Sequence, residues 1–285
     1  MMKVPYKVKL PTGERYTFIK NTLASRDLYT VCEEAHCPNI SECWESGTAT
    51  FMILGSNCSR GCRFCAVTHG NMIPLDPMEP EKVYESVKLM GLDYVVITSV
   101  DRDDLPDRGS SAFAAVVKKV KELGIKIEVL IPDFSGNHED IDRIIESGPD
   151  VIAHNIETVR RLTGSVRDPR AGYEQSLAVL KYIKENDKKA ITKSSIMIGL
   201  GETDGEVIDA MKDLRNAGVE ILTVGQYLRP SKKQLEVKEY SSMERFKSFE
   251  EKGYELGFSF VASGPLVRTS YRAAEGFIKM RGKND

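Results

Sequence analysis

The feature that most constrains the fold is an alternation running along most of the chain: apolar runs of strand length separated by amphipathic stretches with helical spacing. The strand-like runs are TATFMIL (48–54), DYVVITS (93–99), KIEVLI (126–131), DVIAHN (150–155), ITKSSIMI (191–198), EILTVG (220–225) and FSFVAS (258–263). Most are rich in Val and Ile, as strands covered on both faces must be. Helix punctuation falls between them. Pro80 opens one stretch and Gly91 follows it, Ser110 precedes AFAAVVKKVKEL and Gly124 ends it, Asp204 begins another, and the stretch from Met243 stops at Gly257.

Parallel strands with helical crossovers close either as a (β/α) barrel or as an open doubly wound sheet, and periodicity alone does not separate them. The strand ends favour the barrel. TSVDRDDLPDRG, LIPDFSGN, HNIETVRRL, GLGETDG, GQYLRPSKK and SGPLVRTSY are polar and irregular, and a barrel gathers such tips into one mouth where chemistry belongs. For any single tip, turn formation by Asp, Gly and Pro is a sufficient explanation. The expected fold is therefore α/β, a partial (β/α) TIM-type barrel over 48–263, with an N-terminal extension (1–47) and a C-terminal extension (264–285).

A formal net charge of −2 over 285 residues gives no basic field for nucleic acid. MMKVPYKVKL lacks an apolar leader core, and no run of about 18 apolar residues is present, so neither secretion nor a membrane span is expected and the cytoplasm is. All six cysteines lie between Cys32 and Cys65. Clustered thiols in a reducing compartment point to metal ligands or catalysis rather than to disulfides.

GSNCSRGCRFCAV (55–67) holds Cys58, Cys62 and Cys65 as C-x3-C-x2-C. Zinc wants four ligands, whereas three thiolates on a four-iron cluster leave one iron open to a small molecule. Gly61 would let that loop turn tightly. With Phe64 as the aromatic, CSRGCRFC resembles the signature of the radical S-adenosylmethionine superfamily. The resemblance implies a 4Fe–4S cluster that binds S-adenosylmethionine through its amino and carboxylate groups and cleaves it reductively to methionine and a 5′-deoxyadenosyl radical.

Upstream, VCEEAHCPNISECW adds Cys32, Cys37 and Cys43 as C-x4-C-x5-C, again without a fourth thiol. His36 adjoins Cys37 and reads as a loop histidine. Together with TSVDRDDL, HNIET, MIGLGET, GQYLRPS and GPLVRTSYRA, the two triplets resemble the lipoyl synthase family. That resemblance implies a second, auxiliary 4Fe–4S cluster on Cys32, Cys37 and Cys43. Its fourth ligand is a serine of an Arg-Ser-Ser-Tyr motif, which maps onto Ser270 in Arg268-Thr269-Ser270-Tyr271. Thr269 departs from the commoner serine. A hard alkoxide is a weaker iron ligand than a thiolate and suits a cluster that is dismantled.

The implied reaction inserts sulfur at carbons 6 and 8 of an octanoyl chain on a lysine of a lipoyl carrier domain, either the H protein or the E2 subunit of a 2-oxoacid dehydrogenase. It uses two S-adenosylmethionine molecules and sulfide from the auxiliary cluster. Unactivated methylenes offer no acidic proton, so radical chemistry is required. A reducing donor such as ferredoxin or flavodoxin, and an iron–sulfur cluster carrier for renewal, are implied as further partners. Candidate S-adenosylmethionine contacts are Phe64, Ser99, Asp101, Asp103, Asp104, Glu128, Asn155, Glu157, Gln226 and Tyr227; each also reads as a turn-forming or solvated residue. Arg268 and Arg272 would suit a carboxylate, and Lys232 and Lys233 an acidic carrier. The alternatives are a methylthiotransferase-like enzyme, a non-catalytic electron carrier, and a zinc-stabilised barrel. The first predicts a basic surface and an added RNA-binding domain, the second wants four thiolates per cluster, and the third would be colourless.

Overall fold

The structure, a computed structural model, describes Tyr6 and residues 13–26, 28–34, 37, 39–45, 49–270, 273, 275 and 277. His36, Tyr271 and Arg272 lie outside the described residues. The backbone divides into two compact units, an N-terminal one of residues 9–61 and 66–152 and a C-terminal one of residues 1–8, 62–65 and 153–285. Both units contain strands and helices of the repeat.

In the N-terminal unit, α1 (Glu14–Ala24) precedes β1 (Ala49–Ile53), α2 (Glu79–Met90), β2 (Tyr94–Ser99), α3 (Ser110–Lys121), β3 (Lys126–Leu130) and α4 (His138–Ser147). β1 runs parallel to β2, with Ala49 opposite Val95 and Ile53 opposite Ser99. β2 runs parallel to β3, with Tyr94 opposite Lys126 and Thr98 opposite Leu130. A two-residue strand, Tyr29–Thr30, pairs antiparallel with β1. α3 forms because Phe113, Val116, Val117 and Val120 recur at helical spacing, and all four are buried. α4 is capped by the Asn137 side chain, which accepts from the Asp140 amide at 3.1 Å.

β4 (Val151–Ala153) ends the N-terminal run, the Asp150 amide donating to Ile127 O at 2.9 Å. It is shorter than the 150–155 expected, because the chain turns left-handed at Glu157, where φ is 66°. The C-terminal unit continues with α5 (Tyr173–Asn186), β5 (Ile191–Ile198), α6 (Asp204–Asn216), β6 (Ile221–Gln226), α7 (Met243–Glu255) and β7 (Phe260–Gly264). β5, β6 and β7 are parallel in that order, Ile198 lying opposite Gln226 and Gly225 opposite Gly264. Their core joins Leu180, Ile196, Met211, Leu222, Phe246 and Val261.

The chain bends sharply just beyond the strands. Leu54 after β1, Ser135 after β3 and Glu157 after β4 have φ of 68°, 54° and 66°. Such conformations cost about 1–3 kcal/mol for residues with a Cβ and persist where the surroundings impose them. At Leu54 the imposing group is Glu79 of α2, whose carboxylate accepts the Leu54 amide at 3.0 and 3.1 Å.

Candidate functional site

Of the first thiol triplet, Cys58 belongs to the N-terminal unit, and Cys62 and Cys65 to the C-terminal one. Around Cys58, the amides of Arg60 and Asp101 each donate to its sulfur at 3.4 Å. Such N–H bonds favour a thiolate and tune an iron–sulfur cluster held by it. The adjacent Arg60 is buried, yet it pairs with Asp101 (3.3 Å), Asp103 (2.7 Å) and Asp133 (2.8 Å). Burial disfavours its charge, but the bonds from Asp103 and Asp133 outweigh that and raise its pKa. Ser59 adds a bond to Asp103 at 2.7 Å. The cysteine loop is thereby tied to the ends of β2 and β3.

The acidic residues beyond β2 and within β3 have protein partners of their own. Asp103 is engaged by Arg60, and Asp104 by Arg102 at 2.8 Å. Asp101 faces both Arg60 and the Cys58 thiol, 3.6 Å away, and burial raises its carboxyl to about 6. Glu128 is buried and accepts from the Tyr94 hydroxyl at 2.7 Å. Ser99 is different, for its Oγ is buried with no hydrogen-bond partner among the described residues.

In the C-terminal unit the Asp168 amide donates to the Cys62 sulfur at 3.3 Å, and the Gln234 side chain to Cys65 O at 3.1 Å. Phe64 packs against the cluster of Val166, Leu200 and Tyr227. Tyr227 donates to Leu235 O at 2.9 Å, and burial pushes its hydroxyl up to about 12. Gln226 is wholly committed to its own chain. Its amide nitrogen lies 2.9 Å from Glu239 O and 3.2 Å from the carbonyls of Ile198 and Tyr227, and its oxygen accepts from the Ser241 amide at 2.9 Å. Asn155 bonds Glu157 at 3.1 Å and Thr269 at 2.9 Å through Nδ2, while its buried Oδ1 has no partner among the described residues. Burial raises the Glu157 carboxyl, opposed by the Arg167 charge.

The second triplet rides on two short helices, Cys32 in Val31–Glu34 and Cys43 in Ile40–Glu45, with the Cys37 amide donating to Cys32 O at 2.9 Å between them. Burial and the neighbouring Cys37 push the Cys32 thiol up to about 12. A thiol in that setting ionises only when a cation offsets its charge, as an iron would. None of the six cysteines forms a disulfide. Among the described residues no three His, Cys, Asp or Glu side chains are gathered as a single metal ion would need. A four-iron cluster instead gives each thiolate its own iron. Sulfur atoms lined by amide donors fit such a group. The tertiary partners Arg60, Asp133 and Asp168 escape sequence reading; the only signal for Arg60 is a cation in the cysteine loop of a chain whose strand tips are rich in Asp.

The strand order and the thiol loop define a radical S-adenosylmethionine protein, and residues 52–214 match the model of the Radical SAM superfamily. Residues 3–37 match the N-terminal domain of lipoyl synthase of that family. The chain belongs to the lipoyl synthase family. It is 77% identical over 282 residues to a lipoyl synthase of Picrophilus torridus, covering 99% of this chain and 98% of that protein. It is 54% identical to one from an Anaeromyxobacter species, covering 96% and 94%. Among solved structures, SuiB of Streptococcus suis bound to S-adenosylmethionine has a TM-score of 0.62 at 12% identity, over 79% of this chain and 53% of that one. Methylornithine synthase has a TM-score of 0.58 at 14% identity, over 95% and 76%. These structures show the partial-barrel α/β fold expected from the sequence.

Proposed function

We propose that this enzyme inserts two sulfur atoms, at carbons 6 and 8, into an octanoyl chain amide-linked to a lysine of a lipoyl carrier domain, consuming two S-adenosylmethionine molecules. The observation that carries the reading is the pair of three-thiol sets in a chain 77% identical, nearly end to end, to a lipoyl synthase. When bound, a 4Fe–4S cluster on Cys58, Cys62 and Cys65 supplies an electron and an open iron for S-adenosylmethionine, and a second on Cys32, Cys37, Cys43 and Ser270 supplies sulfur.

The chain's own residues set the conditions. Amides of Arg60, Asp101 and Asp168 stabilise two of the thiolates, and Phe64, between Cys62 and Cys65 in the chain, anchors its loop by packing against Val166, Leu200 and Tyr227. In the N-terminal unit Ser99 Oγ, and in the C-terminal unit Asn155 Oδ1, is a buried acceptor without a partner among the described residues, and each suits a ligand's hydroxyl or ammonium group. Asp101 adds a carboxylate beside Ser99 in the N-terminal unit and Glu157 one beside Asn155 in the C-terminal unit, while Glu128 bonds Tyr94 at the start of β2 and Gln226 and Tyr227 hold the segment that follows β6. The segments 1–47 and 264–285 provide the auxiliary ligands. The exposed Lys232 and Lys233 meet the carrier, which is the H protein or an E2 subunit. Ferredoxin or flavodoxin delivers electrons, a cluster carrier renews the sulfur source, and the reaction runs in the cytoplasm.

The test is to incubate anaerobically reconstituted protein with reductant, S-adenosylmethionine and an octanoyl-lysyl peptide and to weigh the peptide. A gain of two sulfur atoms per peptide is expected. Formation of 5′-deoxyadenosine with no sulfur added would overturn the sulfur-insertion reading.

A further inference from the structure

Within the C-terminal unit, the segment after β7 lies on the end of β6. Gly264 pairs with Gly225, the Val267 amide closes a turn onto Gly264 O at 3.1 Å, and Val267 is buried. The contact is so close that a Cβ on Gly225 would collide with the Val267 carbonyl. Two residues on, Thr269 Oγ1 accepts from Asn155 Nδ2 at 2.9 Å, beyond the end of β4. The segment leading to Ser270 is therefore seated at two points, one steric and one a single hydrogen bond.

Asn155 is only 7% exposed. Nδ2 makes the 3.1 Å contact with Glu157, the orientation that an ionised carboxylate, which accepts and cannot donate, requires. Both Nδ2 hydrogens then have acceptors, and Oδ1, in the same rigid plane, is buried with no donor among the described residues. A buried acceptor left unmade costs about 1–3 kcal/mol, and such groups in folded proteins ordinarily find partners. The missing partner is a hydrogen-bond donor at the β4 tip.

We propose that Asn155 is a positioning residue coupling a hydrogen-bond-donating ligand at its Oδ1 to the seating of Thr269, and through it of Ser270. The ligand is S-adenosylmethionine if the proposed function holds, and the inference rests on that reading. A donor at Oδ1 adds a third bond to the amide that Glu157 orients, and so strengthens the hold of Nδ2 on Thr269. By linkage, a seated Thr269 tightens the ligand by the same factor. The hydroxyl of Thr269 is thus a latch rather than an iron ligand, which accounts for threonine serving where the related motif has serine: either supplies the acceptor. Ser270 is left as the residue whose release from iron the latch restrains.

The experiment uses the reconstituted full-length protein in its oxidised state, so that no turnover occurs. Hydrogen exchange of residues 264–270 is followed with and without S-adenosylmethionine, its affinity is measured by calorimetry, and iron is counted. In the unaltered protein, and in Thr269→Ser, the ligand slows exchange of the segment. In Thr269→Val the slowing disappears and S-adenosylmethionine binds about fivefold more weakly, with iron content unchanged. A wild-type exchange response and affinity in Thr269→Val would overturn the proposal. So would loss of about half the iron in that variant, which would make Thr269 a ligand. The sulfur-insertion reading fails separately, through an unmodified octanoyl-lysyl peptide in the unaltered protein.

Discussion

At Gly199 the backbone has φ 98°, and a Cβ there would lie 2.6 Å from Glu239 O and against Gln226 Nε2. Glycine is required twice over, for conformation and for space. The same turn is stapled by Glu202, whose carboxylate accepts the amides of Gly199 and Leu200 at 2.5 and 2.9 Å. Gly199→Ala should therefore lower the melting temperature by several degrees, with a loss of about 1–3 kcal/mol or more, read from denaturant unfolding. Arg60 is a second case. It is 4% exposed among Asp101, Asp103 and Asp133, so Arg60→Met removes the cation and leaves carboxylates without it. Breaking a buried pair from one side costs about 3–5 kcal/mol. The variant should unfold at markedly lower denaturant than Lys233→Met, which alters an exposed side chain.

At the scale of elements, α6 shows how local chemistry fixes a helix start. Thr203 Oγ1 accepts the Glu206 amide at 3.3 Å, and Glu206 accepts the Thr203 amide at 2.9 Å. Thr203→Ala should cost about 1 kcal/mol, measured by thermal or denaturant unfolding. Glu206 also pairs with Arg161, and these bonds lower its carboxyl from 4.5 to about 2. A value depressed by folding adds stability that is present in full above about pH 4.5 and lost as pH falls towards 2. Glu206→Gln should accordingly flatten the stability profile within that acidic window and leave its shape above pH 5 unaltered. Elements of this kind were legible in advance. The seven expected strands all occur, because Val- and Ile-rich runs bounded by polar tips have few other solutions. The miss at 154–155 arose where Glu157 leaves extended conformation, held by the Ser195 and Met197 backbone at 3.2 and 2.8 Å.

For the molecule as a whole, the two thiol sets predict two classes of loss. Replacing Cys58, Cys62 or Cys65 by Ala should abolish 5′-deoxyadenosine formation. Replacing Cys32, Cys37 or Cys43 should retain some of it and abolish sulfur addition, with iron falling from about eight to about four atoms per chain. Chromatography of the nucleoside and colorimetric iron analysis check both outcomes. What the sequence determined by itself was the strand–helix alternation and the grouping of the thiols in two sets of three, since periodicity and spacing are properties of neighbouring residues. What only the tertiary structure decided was the state of the polar groups around them. Asp103 meets Arg60, Gln226 is saturated by backbone, and Asn155 keeps one acceptor unmet. Those outcomes depend on residues far apart in the chain, because a side chain's hydrogen bonds and charge are settled by whatever the fold places against it.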